Sequence, residues 1–382
     1  MPRTLRRACL LACLLCLAGC ALTRPGPPDP ELKRLAGQML LVGFRGAEPA
    51  PGTPQELPIL GQIAALNLGG VILFDRDAAL KSPERNITSP EQVQRLTAAL
   101  QAAAKSAGAP ALFIGVDQEG GRVQRLRAAR GFPETPPASE LCSVGDPGPA
   151  LAAGTQVGAT LAGLGVNVDF APVADVNVNP QNPAIGALGR SFSADPAQVA
   201  ACAGAFARGL KSQGVLTAAK HFPGHGSSTT DSHLGFTDVT ATWTEAELLP
   251  FRELTRQNLA DMVMTAHVFN ARLDEGQPAT LSRPVIHGLL RQGLGFGGVV
   301  VTDDLQMRAV SAHYGLKEAL RLAVQAGADV LLIGNNLDFD AGIAAKAVDA
   351  LMELVAEGQL SPERLRESAA RIRQLKTKLA MP

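Results

Sequence analysis

The stretch GGVVVTDDLQM, residues 297–307, sets a β-branched run directly against two acids. Three valines and a threonine in a row favour a strand, and a run that is apolar on both faces suits a strand covered on both sides, as in a parallel sheet. Seven other runs share this form: MLLVGF (39–44), GGVILF (69–74), ALFIGVD (111–117), VNVDFAPVAD (166–175), VLTAAKH (215–221), DMVMTAH (261–267) and DVLLIGN (329–335). Polar, reactive residues close nearly all of them: Asp75, Asp117, Asp175, His221, His267, Asp303 and Asn335. A doubly wound sheet gathers its chemistry at one crevice and wants a glycine-rich turn after its first strand, which VGFRGAEP (42–49) lacks. Functional groups at the C-terminal ends of the strands all round are the mark of a closed barrel. The expected fold is therefore α/β, a (β/α)8 TIM barrel in a single domain.

Between the runs lie amphipathic segments such as SPEQVQRLTAALQAAAKSAG (89–108), DPAQVAACAGAFARGLKSQG (195–214) and TEAELLPFRELTRQNLA (244–260). Each opens on Ser, Asp or Thr with Glu or Gln three residues on, or closes on glycine, so each reads as a helix with its ends marked. Two more helices, within 338–358 and 361–380, close the chain with no shift of composition to mark a second domain.

The 382 residues are 46% hydrophobic and 18% charged, enough to bury a large core. Lys plus Arg and Asp plus Glu balance at 35 each, so no basic face is advertised and no nucleic-acid partner is expected. Residues 1–19 have a basic start, an apolar run and small residues before Cys20, as in a secretory signal peptide. Leu17-Ala18-Gly19-Cys20 resembles the bacterial lipobox, which implies acylation of Cys20. The expected organisation is signal peptide 1–19, lipidated Cys20 and a Pro-rich tether to residue 34, then a catalytic body over 35–382. The expected location is the cell envelope, outside the cytoplasm, with the membrane as partner through the lipid anchor. Cys142 and Cys202 alone remain in the mature body and are expected as two buried thiols, although an oxidising compartment would let them pair.

The loop KHFPGHGSSTTDSHLG (220–235) holds three of the six histidines. His221 and His225 are four apart, but Pro223 and Gly224 between them exclude a shared helical face, so no metal site is expected. No Gly-Lys-Ser/Thr order opens a helix, so it is not a phosphate loop. Asp231-x-His233 instead suits a carboxylate that orients an imidazole and stabilises its protonated form, making His233 a proton shuttle. His225 is assigned to the turn. Side chains of adjacent strand residues point to opposite sides, so one of Asp303 and Asp304 faces the pocket. A carboxylate and a mobile proton donor are the minimum for retaining glycoside hydrolysis. The loop GVDQEGGRVQRLR (115–127) adds Asp117, Glu119, Arg122 and Arg125, a set able to clamp hydroxyls, and Arg190 follows in GRSFS (189–193).

Taken together, GVDQEGGRVQRL, FAPVADVN, GRSFS, KHFPGHG…DSH, MTAHV and VVTDDLQM, in this order and spacing, resemble glycoside hydrolase family 3, specifically its single-domain β-N-acetylhexosaminidases. The resemblance implies a two-step retaining reaction on terminal β-linked N-acetylglucosamine, without metal or other cofactor, by a monomer. It implies Asp303 as nucleophile, where this chain has Thr302 in place of the usual serine. It implies His233 as acid/base with Asp231 as its partner, and Asp117, Arg125, Arg190, Lys220, His221 and His267 as the substrate-binding set. The substrate expected is a small GlcNAc-containing oligosaccharide, from peptidoglycan or chitin-like material. Two alternatives stand beside this reading: a phosphorylase of the same family, which would yield sugar 1-phosphate, and a lipid-anchored sugar-binding protein, which would not need Asp303 and Asp231-x-His233 intact.

Overall fold

The computed structural model describes residues 29–48, 57–142 and 145–379. Eight parallel strands follow the eight runs: β1 Leu40–Gly43, β2 Gly70–Ile72, β3 Phe113–Val116, β4 Val168–Asp169, β5 Leu216–Phe222, β6 Met262–Thr265, β7 Val299–Thr302 and β8 Leu331–Ile333. Each pairs with the next in sequence, and β8 pairs with β1. The circle closes where Val301 bridges Val330 and the Thr302 amide donates to the Val330 carbonyl at 3.0 Å. The expected (β/α)8 barrel is the fold observed. The run at 166–175 gives only a two-residue strand plus a bridge from Val173 to Lys220, because Pro172 has no N–H to donate to the ladder.

The helices form where their end signals predict. In α3, Pro90–Ser106, Ser89 caps the Gln92 amide at 3.2 Å, Pro90 sits in the first turn, and Val93, Leu96, Leu100 and Ala104 make the buried face. Losing that cap costs about 1 kcal/mol. In α5, Pro196–Ser212, Asp195 caps the Ala197 amide and Val199, Ala203, Phe206 and Leu210 face inward. Helix α5 packs tightly on α4, Gly148–Gly163, because a Cβ at Gly154 would lie 2.2 Å from the Phe206 carbonyl oxygen. The segment at 244–260 divides into a 3-10 turn, Glu245–Leu248, and α6, Leu249–Arg256.

Two expectations are corrected. The barrel body begins before residue 35: helix α1, Pro30–Gln38, is capped by Asp29 and buries Leu32 and Ala36, so residues 30–34 are not tether. Cys142 and Cys202 are joined in a disulfide rather than standing as two thiols. The loop after β3 folds back onto α5 and brings together two cysteines 60 residues apart, a proximity the spacing does not reveal. Residues 1–19, expected as a signal peptide, and Cys20 lie outside the described residues.

At the opposite end of the barrel from the loops, α10, Pro362–Lys376, sends Lys376 inward. Its Nζ donates to Gln38 Oε1 and to the Gly69 carbonyl, both at 2.9 Å, and lies 4.8 Å from the Phe113 ring centre. Burial pushes its pKa down to about 7.

Candidate active site

The C-terminal ends of the strands surround a cavity of about 660 Å³. Asp117, Arg125, His233, Asp303 and Asp304 all line it, with Phe74, Asp75, Arg76, Met264, Met307 and Asn336 among the others. The barrel thus brings together residues nearly 190 positions apart in the chain, as the strand-end pattern requires.

The two acids after β7 are distinguished by their partners. Asp304 Oδ1 accepts the amides of Gly334, at 2.8 Å, and Gln306, at 3.0 Å, and burial raises its pKa to about 6. Asp303 accepts only the amide of Asp304 among the described residues, at 2.8 Å. Burial alone would raise its pKa, but the imidazoles of His267, His221 and His233 outweigh that and hold it below the ordinary carboxylate value. An ionised carboxylate at Asp303 is thus the stable form at neutral pH.

His233 stands on the exposed loop 229–236, and its Nδ1 pairs with Asp231 Oδ1 at 2.8 Å, which leaves Nε2 for the cavity. Asp231 also takes the His233 amide at 2.9 Å, so a tight Asx turn fixes the ring. Partial burial lowers the pKa of His233, but the bond to Asp231 and the charges of Asp303 and Asp231 raise it overall. Its partner Asp231 is held down to about 2, first by its bond to that same ring.

Behind the cavity wall runs a buried ionic chain. Arg125 donates to Asp117 Oδ2 at 3.0 Å, and Lys220 Nζ joins Asp117 and Glu119 at 2.8 and 2.6 Å. Arg190 grips Glu119 with two parallel bonds at 2.8 and 2.7 Å and reaches His221 Nε2 at 3.3 Å, while His221 Nδ1 meets Asp175 at 2.6 Å. Burial opposes every charge here, yet the cations drive Asp117 and Glu119 below, and the carboxylates drive Lys220 and Arg190 above, their ordinary values. Of the expected sugar-binding set, Asp117 and Arg125 line the cavity, Lys220 pairs with Asp117 behind them, and Arg190 and His221 continue the chain through Glu119 and Asp175.

The sequence of the family described as the Glycosyl hydrolase family 3 N terminal domain matches residues 36–375. The chain belongs to glycosyl hydrolase family 3. It is 34% identical over 377 residues to Beta-hexosaminidase A of Pseudoalteromonas piscicida, across 91% of this chain and 61% of that protein. Beta-hexosaminidase of Tolumonas auensis is 39% identical over 274 residues, across 70% of this chain and 76% of its own length. A solved glycoside hydrolase family 3 beta-N-acetylglucosaminidase from Paenibacillus sp. str. FPU-7 superposes with a TM-score of 0.82 at 38% identity, covering 91% of this chain and 62% of that one. The chain therefore spans about three fifths of the length of two of these three.

For a family 3 hydrolase the histidines divide their work. His267 lies beside Asp303, but its Nδ1 meets Thr280 Oγ1 and its Nε2 the Asp304 carbonyl, each at 2.9 Å, so both nitrogens are already occupied. His267 is buried beside Asp303, with its ring held between Thr280 and the Asp304 carbonyl. His225 is more than a turn residue. It is buried, its Nδ1 meets Ser228 Oγ at 2.9 Å and its Nε2 meets Ser232 Oγ at 3.0 Å. Ser228 donates its hydroxyl to the Thr230 carbonyl, so Nδ1–H donates to Ser228 and Nε2 accepts from Ser232. Burial lowers the pKa of His225 to about 4, consistent with that neutral form. The ring ties Ser232, which stands between Asp231 and His233, to the buried root of the loop.

Glu119, Asp175 and Ser232 are the supports that sequence reasoning left without a role. Glu119 is read from the motif only as one of several polar loop residues, and Asp175 only as a strand end. Glu119 and Asp175 meet partners 46 to 101 residues away, which spacing along the chain does not reveal.

Proposed function

We propose that the chain is a retaining exo-β-N-acetylglucosaminidase. Asp303 attacks the anomeric carbon while His233 Nε2–H gives its proton to the departing glycosidic oxygen, leaving a glycosyl ester on Asp303 and a neutral imidazole. That imidazole then takes a proton from water as the water attacks the same carbon, releasing β-configured GlcNAc and restoring both residues. The observation that carries this reading is the pairing, in one cavity, of an ionised Asp303 with an imidazole whose far nitrogen is held by Asp231. Asp117 and Arg125 supply acceptor and donor for sugar hydroxyls on the same wall.

The substrates proposed are GlcNAc-terminated peptidoglycan fragments or chitin-like oligosaccharides, met outside the cytoplasm by a protein anchored through Cys20. The Cys142–Cys202 disulfide favours an oxidising compartment, since cytosolic thiols are kept reduced. The test is product analysis with chitobiose and with a disaccharide peptidoglycan fragment. β-GlcNAc as first product, with mass-tagging of Asp303 by a 2-fluoro glycoside, is the expected result. Release of the α-anomer, or of GlcNAc 1-phosphate only when phosphate is present, would overturn the hydrolytic retaining scheme.

A further inference from the structure

We propose that Glu247 is a positioning residue for the proton donor: an uncharged carboxylic acid packed beneath Gly224 and Ser227 that holds the root of the loop carrying Asp231 and His233. The inference rests on the reading of His233 as that donor.

Glu247 belongs to the 3-10 turn Glu245–Leu248, outside the residues that touch the cavity, and is completely buried. It makes no ion pair among the described residues, and neither carboxyl oxygen completes a hydrogen bond of normal geometry. Its side chain lies directly against the loop root. A Cβ built at Gly224 would fall 2.8 Å from both Glu247 Cβ and Oε2, and Gly224 has a φ of +124°, so both the space and the backbone there demand glycine. The polar groups facing the carboxyl are Ser227 Oγ and N–H from the loop, the Thr244 N–H from its own turn, and the Asp175 carboxylate from beyond β4. Ser227 Oγ is itself buried without a completed bond.

A buried carboxylate without a cation, near a second carboxylate, is costly, whereas the acid form offers an O–H to Ser227 Oγ. Burial, reinforced by Asp175, pushes the Glu247 pKa up to about 7. From Ser227 the connection to the donor is short. Ser228, next in the chain, holds His225 Nδ1; His225 Nε2 holds Ser232; and Ser232 lies between Asp231 and His233. Asp175 closes the arrangement from below by accepting the His225 amide at 2.8 Å. Glu247 thus sits under a buried anchor from which the exposed loop departs.

The experiment compares kcat/KM on p-nitrophenyl β-GlcNAc, whose leaving group needs little protonation, with kcat/KM on chitobiose, whose leaving group needs it fully, at pH 6. The variants are E247A, E247Q, S227A and, as control for the underlying reading, H233A. H233A must lose more on chitobiose than on the aryl glycoside. With that established, E247A and S227A are expected to lose about tenfold more on chitobiose, and E247Q, uncharged and of the same size, to restore the native ratio. Equal losses on both substrates in E247A, while H233A splits them, would overturn the inference and leave Glu247 as a cap of its own turn. A ratio in E247Q as poor as in E247A would overturn the uncharged-acid form. If E247A does not fold, S227A decides: equal losses on both substrates sink the proposal. If H233A itself fails to split the substrates, the donor assignment falls first and this inference with it.

Discussion

Asp304 takes the backbone N–H of Gly334 at 2.8 Å, and a Cβ at Gly334 would lie 2.3 Å from the other oxygen of that carboxyl. The glycine therefore seats Asp304 against the β8 loop, whereas Asp303, the nucleophile of the proposed mechanism, faces three imidazoles instead. Asp303→Asn is expected to lower kcat by at least roughly 10³-fold. Asp304→Asn keeps an acceptor for both amides and is expected to retain kcat within about tenfold. Steady-state kinetics on an aryl β-GlcNAc glycoside checks both, and comparable collapse of the two variants would remove the distinction.

His233 must be protonated to act as an acid, so activity falls as pH rises through its pKa. Asp231 and Asp303 raise that pKa above the ordinary 6.5, which places the alkaline limb of the chitobiose profile on the far side of that value. Asp231→Ala removes the largest stabiliser of the imidazolium, and the limb is expected to move to lower pH. An unmoved limb in this variant would mean another group sets it.

The eight strands were legible because each carries its own signal, an apolar run that in all but the first is closed by a polar residue, and VVVTDD is as clear in sequence as β7 is in the structure. That acids line the cavity after β7, and that Asp231 pairs with His233, were legible for the same local reason: the acids follow their strand, and the Asp-x-His turn is closed within three residues. The supports were not. Glu119 is defined by Arg190 and Lys220, and Cys142 by Cys202, all distant in the chain. His267 was legible as the end of its run, but its partners Thr280 and the Asp304 carbonyl, 13 and 37 residues away, were not.

Glu119 lies between two buried cations, with Arg190 and Lys220 both within 2.7 Å. Removing it leaves two buried positive charges short of a partner, so Glu119→Ala is expected to cost about 3–5 kcal/mol of stability. Because Lys220 also fixes Asp117, the variant's KM is expected to rise in whatever fraction stays folded. Urea unfolding and KM for the aryl glycoside are the measurements, and a change below about 1 kcal/mol would show the chain of ion pairs to be dispensable.

The disulfide closes a loop of 60 residues, worth about 4 kcal/mol on the chain-entropy account. Cys142→Ser or treatment with a reductant is expected to lower Tm while leaving kcat near the native value, since neither cysteine lines the cavity. Differential scanning calorimetry with and without reductant checks this. Identical transitions would show that the bond contributes nothing to the folded state.

Lys376 gives the far end of the barrel a pH dependence of definite sign. Its folded pKa of about 7 lies below the ordinary 10.5, because burial disfavours the ammonium, and among the described residues no carboxylate is paired with it. Between those two values the unfolded chain binds a proton that the folded chain lacks, so this residue's contribution to stability rises with pH across that window. Below about 7 the full cost of burying the charge is present. Lys376→Met fills the same volume against Phe113 without the charge, and the Gln38 and Gly69 oxygens lose a donor by an amount that does not vary with pH. The difference in unfolding free energy between variant and native chain is therefore expected to favour the variant progressively as pH falls from about 10 to about 7, and then to level off. Unfolding curves at several pH values measure that difference, and a pH-independent offset would mean that Lys376 keeps its proton in the folded barrel throughout.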